Sequence, residues 1–283
     1  MKVSVSVVTY QHAKTARQAI DSVLLQETDF DFEVVIGDDA STDGTREILE
    51  SYHDYAPASV KTLLRRDNAG DAGLTNVMAT IDAAEGEYIA FLDGDDYWTD
   101  AAKLQKQADF LDAHPECTVC AHRVEHLHDN GRSALSPNAP RGCGSYDVGA
   151  LILRNFAPKI STMLRRSALD DLPAWYRTTK VASADWLLNV LAGRHGQIGF
   201  LNQVMAVHRI HGASVMANHG AVRMLSDKLK AIAVLQRYLP QKSRELQQLR
   251  RQLVWKRRAA QWTPGAFRVL KRLNELTRPQ PRA

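Results

Sequence analysis

The 283-residue chain is predicted to be an α/β protein: a mostly parallel sheet flanked by helices, with a helical extension at its C-terminal end. Three observations predict this. Strand-like and helix-like segments alternate four times within roughly the first ninety residues. The strand candidates are short, nearly continuous apolar runs, as expected of strands covered on both faces. Acidic residues recur just after those strands, where parallel sheets hold their ligands.

Residues 3–9, Val-Ser-Val-Ser-Val-Val-Thr, alternate and are β-branched, which predicts a strand. Residues 13–25 place Ala13, Ala16, Ile20, Val23 and Leu24 on one helical face. Residues 32–37 read as a buried strand, and Ser41, Thr42 and Asp43 offer N-cap side chains before a helix over 45–53. A strand over 60–64, a helix over 72–84 and a buried strand over 88–92 come next. The helix over 100–113 has Asp100 as its N-cap and stops at His114-Pro115. Residues 118–121 form a buried strand, and 129–147, with Pro137, Pro140, Gly142 and Gly144, read as a loop. Apolar segments at 148–153 and 160–164 precede a helix over 184–192 and a strand over 198–201. From about residue 220 the pattern is helical, with Val222, Leu225, Leu229, Ile232 and Leu235 in phase and Trp255, Trp262 and Phe267 set among basic residues. The division expected is an α/β half over 1–112, a second half of the same domain over 113–219 and a basic helical extension over 220–283.

Bulk composition narrows the class. A hydrophobic fraction of 45% and a charged fraction of 24% are those of a globular protein, which excludes disordered and collagen-like chains. No apolar run approaches the length of a membrane span, and the N-terminus lacks the apolar core of a signal peptide, so a cytoplasmic protein is expected. Cys117, Cys120 and Cys143 suit a reducing compartment. The C-x-x-C pair lies in a strand-like segment, so its cysteines read as structural and no metal is assigned there. From Lys228 onward there are 15 Lys/Arg against 2 Asp/Glu, leaving 21 against 30 in the preceding residues. Such a basic tail has two readings: an anionic partner such as a membrane surface, or a helical face packed on the acidic body. No nucleic-acid-binding module is visible.

The carboxylates carry the chemistry. Asp93, Asp95 and Asp96 fall within four residues after the fourth strand, and charges held that close repel unless a cation neutralises them. Mg²⁺ or Mn²⁺ takes one or two carboxylates together with substrate phosphates, so a metal bridging this turn to a diphosphate is expected. A calcium loop starting at Asp93 fails, because Trp98 and Leu104 stand where Gly and Glu are needed. Neither a P-loop nor a G-x-G-x-x-G is present. After the second strand come Asp38 and Asp39, one suited to accepting the imide N–H of a uracil or thymine ring and the other to serving the turn.

Four ordered segments carry a resemblance: Val5-Ser6-Val7-Val8-Thr9-Tyr10-Gln11; residues 19–26, ending Leu24-Leu25-Gln26; residues 35–45, around Gly37-Asp38-Asp39-Ala40-Ser41; and residues 85–98, around Asp93-Gly94-Asp95-Asp96. Residues 2–112 resemble the inverting family 2 glycosyltransferases, whose nucleotide-binding fold is called GT-A, which implies that 1–112 is the nucleotide-sugar-binding half and 113–219 the acceptor-side half. The resemblance implies that Thr9, Tyr10 and Asp39 bind the base, that Asp93 handles the ribose, and that Asp93, Asp95 and Asp96 form the metal turn. Ala184-Asp185-Trp186 resembles the family's Glu-Asp-Trp segment, which makes Asp185 the implied general base. Residues 207–214, with His208-Arg209-Ile210-His211, resemble a segment near the diphosphate, implying Arg209 as a phosphate contact and His211 as a further metal ligand. Val8, Ala184 and Thr75 depart from the family's usual proline, glutamate and arginine.

The expected activity is that of a metal-dependent inverting glycosyltransferase using Mn²⁺ or Mg²⁺ and a UDP- or dTDP-sugar. Its acceptor would be a saccharide or lipid-linked saccharide of bacterial surface polysaccharide or glycolipid assembly, with the protein peripheral at the inner membrane face. The rivals are a sugar-nucleotide pyrophosphorylase, disfavoured because residues 9–14 contain no glycine, and a non-catalytic nucleotide-sugar-binding module.

Overall fold

Val3, Val5 and Val7 alternate with Ser4, Ser6 and Val8 along β1 (Val3–Thr9), and every one of them is buried. A strand buried on both faces belongs in the middle of a sheet, and β1 lies there in this computed structural model, which describes residues 1–56, 59–179, 181, 183–211 and 220–262. Two parallel neighbours flank it, β2 (Phe32–Asp38) and β4 (Tyr88–Asp93), and β3 (Val60–Leu64) extends the sheet beyond β2. One face of β1, with Val34, Ile36, Ala90 and Leu92, packs with Ile20 and Val23 of α1 (Ala16–Leu24) and Leu49 of α2 (Thr45–Tyr55). The other face meets α3 (Leu74–Ala83), where the Ser6 and Thr80 hydroxyls are 2.6 Å apart. Apolar burial on both faces at about 25 cal/mol per Å² is the main force holding these layers.

The chain runs β1, β2, β3 to one side and then crosses back, so that β4 pairs on the opposite side of β1. That reversal makes the carboxyl ends of β1 and β4 the crevice in which such sheets bind ligands. Beyond β4 the order continues through β9 (Met163–Arg165), β6 (Cys117–His128), β10 (Gln197–Ile210) and β5 (Tyr97–Trp98). β9 is antiparallel to both β4 and β6, whereas β6 and β10 are parallel to each other. α4 (Lys103–Ala113), α5 (Val148–Leu153) and α6 (Ala184–Ala192) complete this part.

Several elements differ from the sequence-based reading. α1 starts at Ala16 rather than at 13, because the Ala13 N–H is taken by Asp43 Oδ2 at 3.0 Å and the His12 N–H by Thr45 Oγ1 at 2.9 Å. β10 is 14 residues long, where the sequence marks only 198–201 as a strand; its register shifts between Leu201 and Val204, and the exposed Asn202 and Gln203 there interrupt the apolar signal. The stretch read as a loop contains β7 (Ser133–Leu135) and β8 (Gly144–Tyr146), which pair with β6 and β10. α2 is entered through Gly44 at φ 97°, and Asp43 Oδ1 accepts the Thr45 N–H at 3.1 Å as the capping side chain.

The chain divides into two units, 1–180 with 184–214, and 181–183 with 215–283. In the second, α7 (Gly220–Tyr238) and α8 (Ser243–Trp262) pack on each other, with Ile232, Leu235, Leu239, Leu246, Leu249 and Leu253 buried. No helix among the described residues is long and apolar enough to cross a membrane. Phe267, the rest of the chain beyond residue 262, and Gly212, Ala213 and Ser214 lie outside the described residues.

Candidate active site

Register sets the first distances. Thr9 at the end of β1 lies opposite Asp38 on β2, and Val8 lies opposite Asp93 on β4. Strands neighbour one another at about 4.8 Å, so the two acidic segments stand roughly 10 Å apart across Thr9.

Asp38 and Asp39 have separate jobs. Asp38 is fully buried; it accepts from Thr9 Oγ1 at 2.9 Å, from the Ser41 hydroxyl at 2.5 Å and from the Ser41 N–H at 2.9 Å. It is the turn's own carboxylate, and it commits the Thr9 hydroxyl to the protein. Asp39 takes the Ala69 N–H at 3.0 Å and the Arg65 Nε at 3.1 Å, both on Oδ1. Tyr10 is 46% exposed beside it at the end of β1. The loop after β1 is fastened to the loop after β2: Gln11 N–H donates to Ser41 Oγ at 2.9 Å, and the Gln11 amide exchanges two hydrogen bonds with Thr42, both at 3.1 Å.

The acidic turn after β4 is neutralised from three directions. The ammonium of Lys159, entering from a 3₁₀ turn over Lys159–Ser161, donates to Asp93 Oδ1. Burial alone would lower the Lys159 pKa, but the carboxylates, Asp93 foremost, hold it above the ordinary lysine value. Asp95 Oδ2 faces two imidazoles, His211 Nε2 at 3.0 Å and His12 Nε2 at 3.8 Å. Burial opposes ionisation of Asp95, yet those two imidazoles outweigh it and keep its carboxyl below the usual range. Asp96 is 1% exposed, and burial followed by the Asp95 and Asp93 charges pushes its carboxyl well up; its Oδ1 accepts the Arg209 N–H at 2.8 Å. The Arg209 guanidinium donates to the Asp95 carbonyl and to Gln18 Oε1 and lies 4.5 Å from the Tyr97 ring centre. Gly94 has no room for a side chain: a Cβ would fall 2.6 Å from Thr9 Cγ2 and 2.8 Å from His12 Nδ1.

Asp185 sits half-buried in the first turn of α6, anchored by its neighbours: Trp186 is fully buried, and the Ala184 carbonyl accepts from Tyr176 Oη at 3.0 Å. Its charge acts on Lys159, on Tyr176 and on His208, whose pKa is lowered by burial against the pull of Asp93, Asp95 and Asp185. His208 in turn makes an edge contact with His126 at 5.3 Å between ring centres.

The structure therefore gathers Asp93, Asp95, Asp96, Arg209 and His211 at one end of the sheet, with Asp185 near enough for its charge to act on Lys159 and His208 and with Thr9, Tyr10 and Asp39 at the ends of β1 and β2. Sequence reasoning missed His12, Lys159 and His208 as parts of this cluster. His12 lies in the loop after the first strand and was open to the same positional argument as Thr9 and Tyr10, whereas nothing local marks Lys159. Among the described residues no three His, Cys, Asp or Glu side chains are gathered tightly enough to enclose an ion. Asp95 and His211, whose Oδ2 and Nε2 lie 3.0 Å apart, could instead supply two ligands of a seat of the kind that Mn²⁺ or Mg²⁺ completes with phosphate oxygens and water. His12 Nδ1 is buried without a hydrogen-bond partner, and with the proton on that atom Nε2 turns a lone pair toward the seat. An imidazole-and-carboxylate set fits a divalent ion, Mn²⁺ better than Mg²⁺.

Comparison with known proteins agrees with this architecture. A sequence model of the family Glycosyl transferase family 2 matches residues 4–172. Protein Rv1520 of Mycobacterium tuberculosis is 39% identical over 215 residues, which span 75% of this chain and 60% of that relative. TarS of Staphylococcus aureus, a poly(ribitol-phosphate) beta-N-acetylglucosaminyltransferase, is 37% identical over 115 residues, 40% of this chain and 19% of TarS. The structure of TarS 1–349 in complex with UDP-GlcNAc superposes with a TM-score of 0.70 at 21% identity, covering 93% of this chain and 74% of that one. The mannosyltransferase PcManGT from Pyrobaculum calidifontis, in complex with GDP-Man and Mn²⁺, gives a TM-score of 0.61 at 17% identity over 99% of this chain and 81% of its own. These structural likenesses establish the shared GT-A fold.

Proposed function

The chain belongs to glycosyl transferase family 2, and from that premise we propose that it moves a sugar from a nucleotide diphosphate, a UDP- or dTDP-sugar, to an acceptor hydroxyl with inversion. The observation that carries the reading is the gathering of Asp93, Asp95 and Asp185 around the Lys159 ammonium and the His208 ring, beside Asp39. Asp39, with its second oxygen, would accept the imide N–H of the base, and Tyr10 would cover the ring. Asp93 would hold the ribose. Asp185 would take the proton from the acceptor hydroxyl as it attacks the anomeric carbon opposite the nucleotide, a role worth about 10²–10⁴ in rate.

Asp95 and His211, helped by Asp93 and Asp96, would hold Mn²⁺ or Mg²⁺, which when bound supplies positive charge against the departing diphosphate. Arg209 braces that seat through the Asp95 carbonyl and, once released from Gln18, would reach a phosphate oxygen. The acceptor is proposed to be a saccharide or lipid-linked saccharide of surface polysaccharide assembly, a reading supported by the polymer glycosylated by TarS. We propose a cytoplasmic location, at the inner face of the membrane.

Asp185→Asn tests the reading. Transfer, measured as nucleoside diphosphate released in the presence of acceptor, should fall at least a hundredfold on the scale of a lost general base, while donor binding by calorimetry persists. Near-normal turnover in that variant removes Asp185 from the role. A protein that binds the donor yet never turns it over, with Asp185 present, points to the non-catalytic module instead.

A further inference from the structure

Helix α8 buries Leu246, Leu249 and Leu253 on one side. On its outer side Arg244, Gln248, Arg251, Trp255 and Arg258 are all exposed and are spaced four, three, four and three residues apart. At 1.5 Å per residue and 3.6 residues per turn that spacing draws one straight stripe roughly 20 Å long. Trp255 is 61% exposed within it, a large aromatic ring left in water between two arginines. Arg244, Gln247, Gln248, Arg251 and Gln252 line a shallow groove at one end of the stripe. α7 adds exposed Arg223, Lys230 and Arg237 at every seventh position. Over residues 220–262 there are 11 Lys/Arg against Asp227 and Glu245, and Asp227 is already paired with Lys230 at 3.1 Å.

We infer that the α8 stripe is a docking surface for the anionic phospholipid headgroups of a bilayer. Two features select this occupant. The guanidinium groups, flanking a groove lined by glutamine amides, match a phosphodiester in charge and in hydrogen-bond donors. Trp255 in the same line matches the headgroup level, where an amphipathic indole ring is most at home. A single-stranded nucleic acid would call for a row of stacking aromatics, and the stripe has one ring. The apolar side of α8 is used inside the protein, so attachment is electrostatic and shallow and will weaken with salt. It depends on this surface alone and stands or falls separately from the glycosyl-transfer reading.

The test is sedimentation of the full chain with phosphatidylcholine vesicles containing phosphatidylglycerol and with phosphatidylcholine alone. The wild type should bind the first and not the second. Arg244→Gln, Arg251→Gln and Arg258→Gln combined should lower the partition coefficient on the order of a hundredfold, at a few-fold for each charge removed. All three side chains are exposed, so circular dichroism should report unchanged helicity. The blue shift of tryptophan emission on vesicle addition should be lost in Trp255→Phe. Equal binding to both vesicle types, undiminished binding by the triple variant, or binding of soluble polyphosphate with no vesicle binding each overturns the inference. Donor hydrolysis measured on the triple variant should match the wild type whichever way the vesicles behave.

Discussion

Replacing Lys103 by Met should stabilise the protein near neutral pH and change how its stability responds to pH. Lys103 is fully buried at the start of α4, its ammonium 3.9 Å from the Trp98 ring centre and donating to Gln107 Oε1 at 2.7 Å. Burial moves its pKa from an ordinary 10.5 to about 7. At about 1.4 kcal/mol per tenfold, burying the charged form costs about 5 kcal/mol. A lysine whose folded pKa is depressed carries the full cost below pH 7, where it is charged in both states. The cost fades as pH rises toward 10.5, because in that window the unfolded chain binds more protons than the folded one. Methionine removes the cost and leaves Gln107 Oε1 without its donor, a loss of about 1–3 kcal/mol. At pH 8 the variant should therefore be more stable by about 1 kcal/mol, and the difference should fall by about 1.4 kcal/mol per pH unit, reversing sign near pH 9 and leaving the wild type the more stable at pH 10. Urea unfolding of both proteins across that range reads the difference directly, and the titration of groups that do not feel the Lys103 charge cancels between them. The Cys120 thiol does feel it, but burial pushes that thiol up to about 12, outside the range. Parallel stability curves would refute the reasoning, since they would mean that Lys103 is not held neutral. The effect reaches the site because Trp98 lies on β5, which pairs with Ala206 and Val207 just before His208 and Arg209 on β10.

The site itself supports three more predictions. Asp38→Asn should cost about 2 kcal/mol or more of stability by breaking a buried network, whereas Asp39→Asn, whose amide oxygen can still accept from Ala69, should cost less than Asp38→Asn and abolish stabilisation by UDP-sugars in thermal shift. Gly94→Ala should destabilise by about 1–3 kcal/mol and weaken nucleotide binding, because its methyl would press on Thr9 and His12; a wild-type melting curve would argue against that packing. His211→Ala should lower Mn²⁺ affinity, measured by electron paramagnetic resonance of the free ion, at least tenfold, and His12→Ala should lower it less while leaving Mg²⁺ affinity unaltered. If both variants bind Mn²⁺ as the wild type does, the seat is misassigned.

The parallel half of the fold was legible because its strands are covered on both faces and so spell unbroken apolar runs, as in Tyr88 to Leu92. The acidic residues at their ends could be read by position for the same reason. β10 was not legible beyond Leu201: the exposed Asn202, Gln203 and Val204 separate two buried runs, and its parallel partner β6 lies some eighty residues earlier in the chain, so no local pattern announces the pairing. Lys159 illustrates the limit for site residues. Its importance arises from the place to which a short 3₁₀ turn delivers it, against Asp93 on a strand 66 residues away. A solitary lysine after Ala157-Pro158 has no spacing to betray that. Asp185 was found through resemblance to a family motif, since a carboxylate in the first turn of a helix is otherwise an ordinary partner for the helix dipole.

The stitching of Gln11, His12 and Ala13 to Ser41, Thr42, Asp43 and Thr45 bears on how this protein could be re-engineered. Five hydrogen bonds join the two loops into one platform, and most of their side-chain partners belong to the second loop. A library aimed at a different nucleotide base that diversifies only 39–45 would lose the acceptors of Ser41, Asp43 and Thr45, whereas one confined to residues 10–13 would lose only the two bonds of the Gln11 side chain, because the other three donors are backbone N–H groups. Transplanting both segments together from one donor scaffold keeps the complementary partners in phase and is the smaller perturbation, although it changes more residues.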